Sequence, residues 1–321
     1  MKVHFLDRGS FPSHLNLTPP RGITSWLEFE QTTTDQCLSH CQNADIILTN
    51  KVILTRNILQ NLPALKLICV TATGVNNVDL VACKELGIKV VNAVDYGTAS
   101  VAEHVLMLML NLARNLPTYL NATAKKSWSE SDFFCDLVAP IQLLRGKTLC
   151  IVGNGTLGSG VAKLSEAFGM KILYAERRNA TQIREGYTTF DTAVSHADFV
   201  TLHCPLDDST HQLINKQSLT LFKPTAFLIN CGRGPLVHEA DLLTALQTFQ
   251  LAGAALDVTD KEPPLKSDII WELAKLTNVI ITPHIAWAAN EAMQALLDQI
   301  TAKISDFITG TLDGDLTDNC T

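Results

Sequence analysis

The sequence predicts an α/β protein with two doubly wound parallel sheets, each with its own core. Short apolar runs rich in β-branched residues alternate with helical stretches along the chain, as in sheets buried on both faces. The alternation restarts at "LCIVGNGTLGSGVAKL" (residues 149–164), where an apolar run meets a glycine cluster and a helical pattern follows. At 321 residues the chain is long enough for two domains, and the glycine cluster begins the second.

The first hundred residues predict four buried strands with helices between them. The strand runs are "KVHFL", "ADIILTN", "LKLICVTATG" and "IKVVNA". A long helical pattern covers residues 97–124, with Ser100 as a candidate N-cap and Pro117 near its end or at a kink.

The chain after Gly146 predicts six more strands and a doubly wound sheet. Their runs are "KTLCIVG", "KILYAE", "ADFVTLHC", "TAFLINC", "LAGAALDV" and "NVIITPH". The segment "AANEAMQALLDQITAKISDFITG" near the C-terminus predicts one long amphipathic helix.

Composition and charge narrow the class of protein. A net charge of −7 and a pI near 5.7 argue against a nucleic-acid partner, which needs clustered Lys and Arg. The nine cysteines are scattered singly, so we expect buried reduced thiols; Cys37 and Cys41 lack a second pair, and no metal is expected. The N-terminus lacks a signal-peptide h-region, and no apolar stretch approaches the roughly 18 residues of a membrane span. These observations predict a cytoplasmic protein with no membrane partner.

The glycine cluster predicts a dinucleotide site. Gly153, Gly155 and Gly158 spell G-x-G-x-x-G between a strand and a helix, where a pyrophosphate can bind the helix N-terminus. Such a cluster can also simply end a strand, but the strand–turn–helix–strand context favours the cofactor site. Eighteen positions after Gly158, Glu176 ends the next strand, where an acid accepts hydrogen bonds from the adenosine ribose.

The same region predicts which nicotinamide cofactor binds. The Glu176 carboxylate repels a 2′-phosphate and favours NAD over NADP. Arg177 and Arg178 follow it directly, and guanidinium groups can hold a phosphate. NAD is therefore the predicted cofactor, and tolerance of NADP stays open.

Polar residues of a kind suited to hydride chemistry follow three later strands. Arg233 lies in "NCGRG", Glu262 in "DKEPP" and His284 in "TPHIAW", and the carboxyl ends of parallel strands share one edge. An arginine can bind the carboxylate or carbonyl of a 2-oxo acid, and a histidine can donate a proton to the carbonyl oxygen. A neighbouring carboxylate would orient that histidine, and the residues leave Glu262 and Asp260 both open for this role.

The chain resembles the D-isomer-specific 2-hydroxyacid dehydrogenase family over nearly its whole length. Seven motifs in the family's order carry the resemblance: "TATGVNNVD", "GTASVAEH", "GNGTLGSGVA", "LHCPLDDSTHQLIN", "LINCGRGPLV", "ALDVTDKEPP" and "TPHIAWA". The resemblance implies a flavodoxin-like substrate domain (residues 1–99 and 289–321), a Rossmann NAD domain (residues 100–288) and an active site in the cleft between them. It also implies a homodimer built near the helix after Ser100.

The resemblance assigns roles residue by residue. Arg233, Glu262 and His284 match the family's catalytic set, and the backbone of Gly74 and Val75 would grip the substrate carboxylate. The positions that match cofactor contacts include His284 again: Thr98, Gly153, Gly155, Thr156, Leu157, Gly158, Glu176, His203, Cys204, Pro205, Thr210, Asn230, Cys231, Gly232, Asp257 and His284.

The substrate prediction depends on two further residues. Trp287 is similar to the glycerate dehydrogenase (hydroxypyruvate reductase) branch, and its indole N–H could be offered to a small polar substrate. Lys51, in a segment that also looks like that branch, could point toward the cleft. Trp287 could instead pack a hinge or dimer contact, and Lys51 could equally be a solvated loop residue.

These features predict reversible reduction of hydroxypyruvate to D-glycerate, with glyoxylate as a side substrate. A broad 2-ketoacid reductase of the same family is the nearest alternative. An NAD(H)-sensing corepressor on the same fold is another alternative, because function resides in sites rather than in folds.

Overall fold

The structure is a computed structural model that describes residues 1–319. Its internal contacts divide the chain into two compact units. The first unit contains Met1–Gly97 and the described chain from Ala288 onward, and the second contains Thr98–Trp287. The second unit is thus one continuous stretch inserted into the first.

The first unit is a five-stranded parallel sheet of order β2-β1-β3-β4-β5. This is the flavodoxin-like order of a doubly wound sheet. Its strands are β1 Lys2–Phe5, β2 Ser25–Glu28, β3 Ile46–Thr49, β4 Leu67–Val70 and β5 Lys89–Asn92. Its helices are α1 Thr34–Cys41, α2 Arg56–Leu59, α3 Leu80–Leu86 and α11 Asn290–Thr309.

The second unit is a seven-stranded parallel sheet of order β12-β11-β10-β9-β6-β7-β8. Its strands are β6 Thr148–Val152, β7 Lys171–Ala175, β8 Tyr187–Thr188, β9 Phe199–Leu202, β10 Phe227–Asn230, β11 Gly253–Leu256 and β12 Val279–Ile281. Its helices are α4 Thr98–Ala113, α5 Leu116–Ala124, α6 Thr156–Ala167, α7 Phe190–His196, α8 Lys216–Leu219, α9 Glu239–Gln247 and α10 Ile270–Leu273. From β6 onward the order is that of a Rossmann sheet with one further strand, β12.

The strand β6 shows why the apolar runs fold this way. Its successive residues point to opposite faces, so Leu149 and Ile151 join one core and Cys150 and Val152 the other. Both faces are covered, and an unbroken apolar run is what such a strand requires. The predicted fold class of two parallel-sheet α/β domains is confirmed.

Two strands and one helix boundary differ from the predictions. The strands β2 and β8 were not predicted, because both lie at sheet edges and neither carries a buried apolar run. The helix expected over residues 97–124 is two helices, divided where Asn115 takes a left-handed backbone (φ 51°). Pro117 therefore lies in the first turn of α5, a position that tolerates proline, and Ser100 lies inside α4 rather than capping it.

The described cysteines are all free thiols. Cys37, Cys41, Cys69, Cys83, Cys150 and Cys231 are buried, as predicted, whereas Cys135 and Cys204 are partly exposed. Cys320 lies outside the described residues. Within residues 1–319, no helix combines the length and the apolar character needed to cross a bilayer.

Candidate active site and cofactor site

The glycine turn after β6 is built by two close backbone approaches. Gly153 has φ 98°, and a Cβ there would lie 2.4 Å from the backbone nitrogen of Cys204. A Cβ at Gly158 would lie 2.1 Å from the carbonyl oxygen of Gly153. Side chains are therefore excluded at both positions, and the turn brings α6 tightly against the end of the strand.

The N-terminus of α6 fits the phosphates of a dinucleotide. Gly155 is the N-cap residue, no side chain of residues 1–319 caps the helix, and a Cβ at Gly155 would meet nothing within 4 Å. Open space therefore faces backbone N–H groups at the positive end of a helix that begins with Thr156 and Leu157. The residues present fit the pyrophosphate of NAD.

A cavity of about 920 Å³ extends from this turn over the ends of β7 and β9. It is lined by seven of the predicted cofactor residues: Gly153, Gly155, Glu176, His203, Cys204, Pro205 and Thr210. Its other polar lining includes Arg177, Arg178 and Arg184. Its size and lining suit a nucleotide.

The Glu176 side chain in this cavity is already held by an arginine. Nε and Nη2 of Arg184 donate to its two carboxylate oxygens at 2.7 and 2.8 Å, and the backbone N–H of Arg177 adds a bond of 2.8 Å. These hydrogen bonds lower the pKa of Glu176 to about 2, with the Arg184 side chain as the largest cause. Arg184 was not predicted as a site residue, because the loop between β7 and β8 carries no periodic pattern that locates it.

The loop after β9 forms the opposite wall of the cavity. His203 lies next to Thr201, with 2.9 Å between Nε2 and the threonine hydroxyl, and burial lowers the pKa of His203 to about 4. Its ring is therefore neutral at physiological pH, and its Nδ1 has no hydrogen-bond partner among residues 1–319. The Thr210 hydroxyl donates to the carbonyl of Pro205 at 2.7 Å, which fixes the loop against the cavity.

Three neighbouring strands bring the predicted catalytic residues to one edge. In the sheet register, Asn230 lies beside Leu256, and Leu256 lies beside Ile281. Arg233 lies three positions after Asn230, and His284 lies three positions after Ile281. Glu262 lies in the loop that follows β11, the strand between β10 and β12. The order β12-β11-β10 therefore gathers all three residues at the carboxyl edge of one sheet.

The turn that carries Arg233 is fixed by its neighbours. The side chain of Asn230 accepts from the N–H of Gly232 (3.0 Å) and donates to the carbonyl of Arg233 (2.9 Å). A Cβ at Gly234 would lie 1.9 Å from the carbonyl oxygen of Thr259, so this turn packs directly on the loop after β11. Asn230 thus shapes the arginine turn, while the Arg233 side chain is exposed. Cys231, in the same turn, is buried.

His284 and Glu262 form a close pair. Nδ1 of His284 lies 2.6 Å from Oε2 of Glu262, and about a third of each side chain is exposed. This leaves Nε2 as the ring nitrogen that can reach a substrate. In the described structure Glu262 makes this contact with His284, and the alternative Asp260 binds the buried carboxylate of Glu239 through its backbone N–H.

Asp257 holds the backbone that carries His284. Its buried carboxylate accepts hydrogen bonds from the N–H groups of Ile285 and Ala286, both at 2.9 Å, and from the Thr282 hydroxyl at 2.5 Å. Its own carbonyl accepts from the N–H of His284 at 2.8 Å, where φ is 54°. A non-glycine residue with a positive φ is strained, and the four hydrogen bonds to Asp257 hold His284 in this conformation. The predicted nicotinamide contact of Asp257 stays a prediction.

The hydrogen-bond network around Asp257 extends to α4, the helix that also carries Thr98. Nε2 of His104 lies 3.1 Å from the Thr282 hydroxyl and 3.5 Å from Oδ1 of Asp257. Burial lowers the pKa of His104, against the opposing effect of Asp257. The Ser100 hydroxyl donates to the carbonyl of Ala286 at 2.6 Å. These partners of the His284 loop are distant in sequence and were not predicted.

Trp287 has a different partner from the one expected. Its indole N–H donates to the carbonyl of His284 at 3.1 Å, so the structure uses this donor to fold the loop back on itself. The idea that the same N–H is offered to substrate is not supported by this geometry. A substrate contact through the rest of the ring stays a prediction.

The other predicted substrate residues belong to the first unit. Lys51 is exposed after β3, and Gly74 and Val75 lie half-buried in the loop after β4. Both segments therefore leave the carboxyl edge of their own sheet, which is where ligands bind in doubly wound sheets.

A Rossmann sheet with a glycine turn, a nucleotide-sized cavity and an imidazole–carboxylate pair at one edge defines a nicotinamide-dependent dehydrogenase. Comparison with known proteins gives the family. Residues 106–286 match the family model described as D-isomer specific 2-hydroxyacid dehydrogenase, NAD binding domain. The chain belongs to the D-isomer specific 2-hydroxyacid dehydrogenase family, and it is an NAD-dependent enzyme of that class.

Individual relatives agree with this assignment. The chain is 47% identical to a Haemophilus influenzae protein described as a 2-hydroxyacid dehydrogenase, over 96% of this chain and 98% of the relative. It is 40% identical to the glycerate dehydrogenase of Methylorubrum extorquens, over 96% of each chain. Among solved structures, Aquifex aeolicus D-lactate dehydrogenase complexed with NAD and lactic acid matches with a TM-score of 0.77 and 29% identity, over 90% of each chain.

Proposed function

We propose that this enzyme reduces hydroxypyruvate to D-glycerate with NADH, and catalyses the reverse reaction. The balanced reaction consumes hydroxypyruvate, NADH and one proton and yields D-glycerate and NAD⁺. The observation that carries the proposal is the 2.6 Å pair of His284 and Glu262 at the carboxyl edge of the NAD-binding sheet. The likeness to a glycerate dehydrogenase supports this substrate among the 2-oxo acids.

NADH would be held by the glycine turn and the cavity beside it, and there it would supply a hydride to the carbonyl carbon of the substrate. His284 donates a proton from Nε2 to the carbonyl oxygen, and takes it back in the reverse reaction. Glu262 accepts the Nδ1–H of the ring, which holds the imidazole in one orientation and leaves Nε2 free for the substrate. Arg233 binds the carbonyl oxygen or the carboxylate through its fork of N–H donors.

Further residues would bind the substrate carboxylate. We propose that the backbone N–H groups around Gly74 and Val75 hold it, and that Lys51 adds a positive charge. Two observations support these residues: both segments lie at the carboxyl edge of their sheet, and Lys51 is exposed there. Glyoxylate, which also carries a carboxylate beside a carbonyl, is the second substrate that we propose.

The test is the loss of NADH absorbance with purified enzyme and four acids: hydroxypyruvate, glyoxylate, pyruvate and a bulky branched 2-oxo acid. Each acid is measured with NADH and with NADPH. We expect the highest kcat/KM for hydroxypyruvate with NADH. A higher value for the bulky acid would favour a broad 2-ketoacid reductase. Tight NADH binding without turnover of any of the four would point to a cofactor-sensing protein.

We also propose that the enzyme is a homodimer. The segment from α5 to residue 143 exposes many large apolar side chains: Leu116, Leu120, Trp128, Phe133, Phe134, Leu137, Val138, Ile141 and Leu143. Large exposed apolar patches mark interaction surfaces, and Phe134 in this segment is 92% exposed. Sedimentation should give twice the 35.1 kDa of one chain. A mass of one chain at micromolar concentration would contradict this proposal.

A further inference from the structure

A buried carboxylate in the first unit has no role in the reaction described above. Asp7 lies just past the end of β1 and is 8% exposed. Phe5 pairs with Leu48 in the sheet register, so Asp7 stands level with Asn50, just past the end of β3. It therefore lies at the base of the loop that carries Lys51.

Every described contact of the Asp7 carboxylate is with this loop or with the strand end before it. Oδ1 accepts the N–H of Asn50 at 2.8 Å, and Oδ2 accepts the N–H groups of Asn50 and Lys51 at 2.9 and 2.7 Å. The Thr49 hydroxyl donates to Oδ2 at 3.4 Å, and its oxygen accepts the N–H of Val52 at 3.0 Å. Four consecutive residues are thus organised around one side chain.

A carboxylate suits this position for a physical reason. All of its neighbours here are donors, and an ionised carboxylate only accepts hydrogen bonds. An asparagine would turn an NH₂ group toward one of these N–H groups and leave it unpaired. Burial raises the pKa of Asp7, while the hydrogen bonds from Lys51 and Asn50 oppose that rise. A buried charge is costly, so the bonds to the loop are what make it tolerable.

Further hydrogen bonds join this loop to the loop after β4. The side chain of Asn77 donates to the carbonyl of Val52 at 3.0 Å, and the N–H of Leu54 donates to the carbonyl of Asn77 at 2.7 Å. Val78 in turn donates to the carbonyl of Val75 at 3.0 Å. The two segments proposed to bind the substrate carboxylate are therefore held as one piece of backbone, with Asp7 at its base.

We infer that Asp7 is a positioning residue for substrate affinity: it holds the backbone of Lys51 where that lysine meets the carboxylate of a 2-oxo acid. The inference rests on the proposed function, because it needs Lys51 to bind substrate. Asp7 itself contacts neither substrate nor cofactor. Loss of its carboxylate should weaken substrate binding in the ground state and the transition state alike.

The experiment is steady-state kinetics of Asp7→Asn with hydroxypyruvate and saturating NADH. We expect KM to rise about tenfold, while kcat and the Kd for NADH stay within about twofold. Asp45→Asn is the matched control. Asp45 accepts the N–H of Lys2 at 2.9 Å and the Lys66 ammonium at 3.3 Å, but at the opposite edge of the same sheet. The Asp45→Asn variant should have a lower Tm and an unchanged KM.

A double-mutant cycle separates positioning from general loss of stability. Lys51→Ala should raise KM, and adding Asp7→Asn to it should change KM little further. Independent, multiplying effects of the two substitutions would overturn the inference, as would a normal KM in Asp7→Asn. Should Asp7→Asn fail to fold, Thr49→Val takes its place: a raised KM supports the inference and an unchanged KM overturns it.

Failure of the proposed function gives a different result. A wild-type enzyme that reduces no 2-oxo acid overturns the proposed function and this inference with it. An active wild type with a normal KM in Lys51→Ala removes the lysine's substrate role, and so overturns the inference while the reaction stands.

Discussion

Replacing His284 with alanine should lower kcat for hydroxypyruvate reduction by about a thousandfold, the size of a lost general acid. The affinity for NADH should stay within about twofold, because the cofactor cavity is lined by other residues. The substituted residue still carries the backbone N–H that donates to the Asp257 carbonyl, so the loop keeps this bond. Stopped-flow or steady-state absorbance gives kcat, and fluorescence titration gives the Kd.

A matched control for this substitution lies in the same unit. His196 is an exposed histidine at the end of α7, and its ring is bound to the Thr192 carbonyl at 2.8 Å. His196→Ala should leave kcat and KM unchanged. A His284→Ala enzyme that retains more than about a tenth of wild-type kcat would contradict the proton-transfer role, which accounts for a hundredfold or more.

Replacing Glu176 with glutamine should shift the preference for NADH over NADPH by about tenfold toward NADPH, as expected for the loss of one charge-assisted contact. Two effects add in this direction. The ribose hydroxyls lose a charged acceptor, and Arg184 is released from its ion pair to meet a 2′-phosphate. Because the pKa of Glu176 is lowered to about 2, its carboxylate is charged throughout the working pH range, and the wild-type preference should not depend on its protonation.

The reverse shift is expected for Arg184→Ala. This change frees the Glu176 carboxylate for the ribose and removes a cation from the cavity, so the preference for NADH should rise. Lys223→Ala is the control, since Lys223 lies 3.1 Å from Asp198, a carboxylate that, like Glu176, also accepts a backbone N–H, but at the opposite edge of the sheet. Ratios of kcat/KM for the two cofactors measure the effect. Shifts in the same direction for Glu176→Gln and Arg184→Ala would contradict this account.

The sequence predicts those strands and turns whose structure is determined by a local pattern of residues. The buried strands were predicted because parallel strands covered on both faces are nearly continuous apolar runs, and the glycine turn because backbone contacts exclude side chains there. The edge strands β2 and β8 lack that pattern. The bend at Asn115 depends on a single backbone conformation that no periodicity predicts.

The candidate site divides in the same way. Strand-end positions identify Arg233, Glu262 and His284, since parallel strands share an edge. The choice of Glu262 over Asp260 depends on how the loop after β11 turns around Glu239, and the partner of Trp287 depends on how the loop after β12 folds back. Arg184 contacts Glu176, which lies 8 positions away in sequence. His104 contacts Asp257 from 153 positions away, and Asp7 contacts Asn50 from 43 positions away. These contacts depend on the folded conformation of the loops, which the sequence pattern does not predict.

The insertion of one unit into the other bears on how the protein is made. The helix α11, near the end of the chain, belongs to the first unit, where Gln294 and Gln299 bind the carbonyls of Asn16 and Val94. The ribosome has therefore released every residue of the NAD-binding unit before it releases α11, which belongs to the unit that began first. Domains tend to fold in their order of synthesis, and here that order is inverted: the inserted unit can close while the outer one still waits for its final helix.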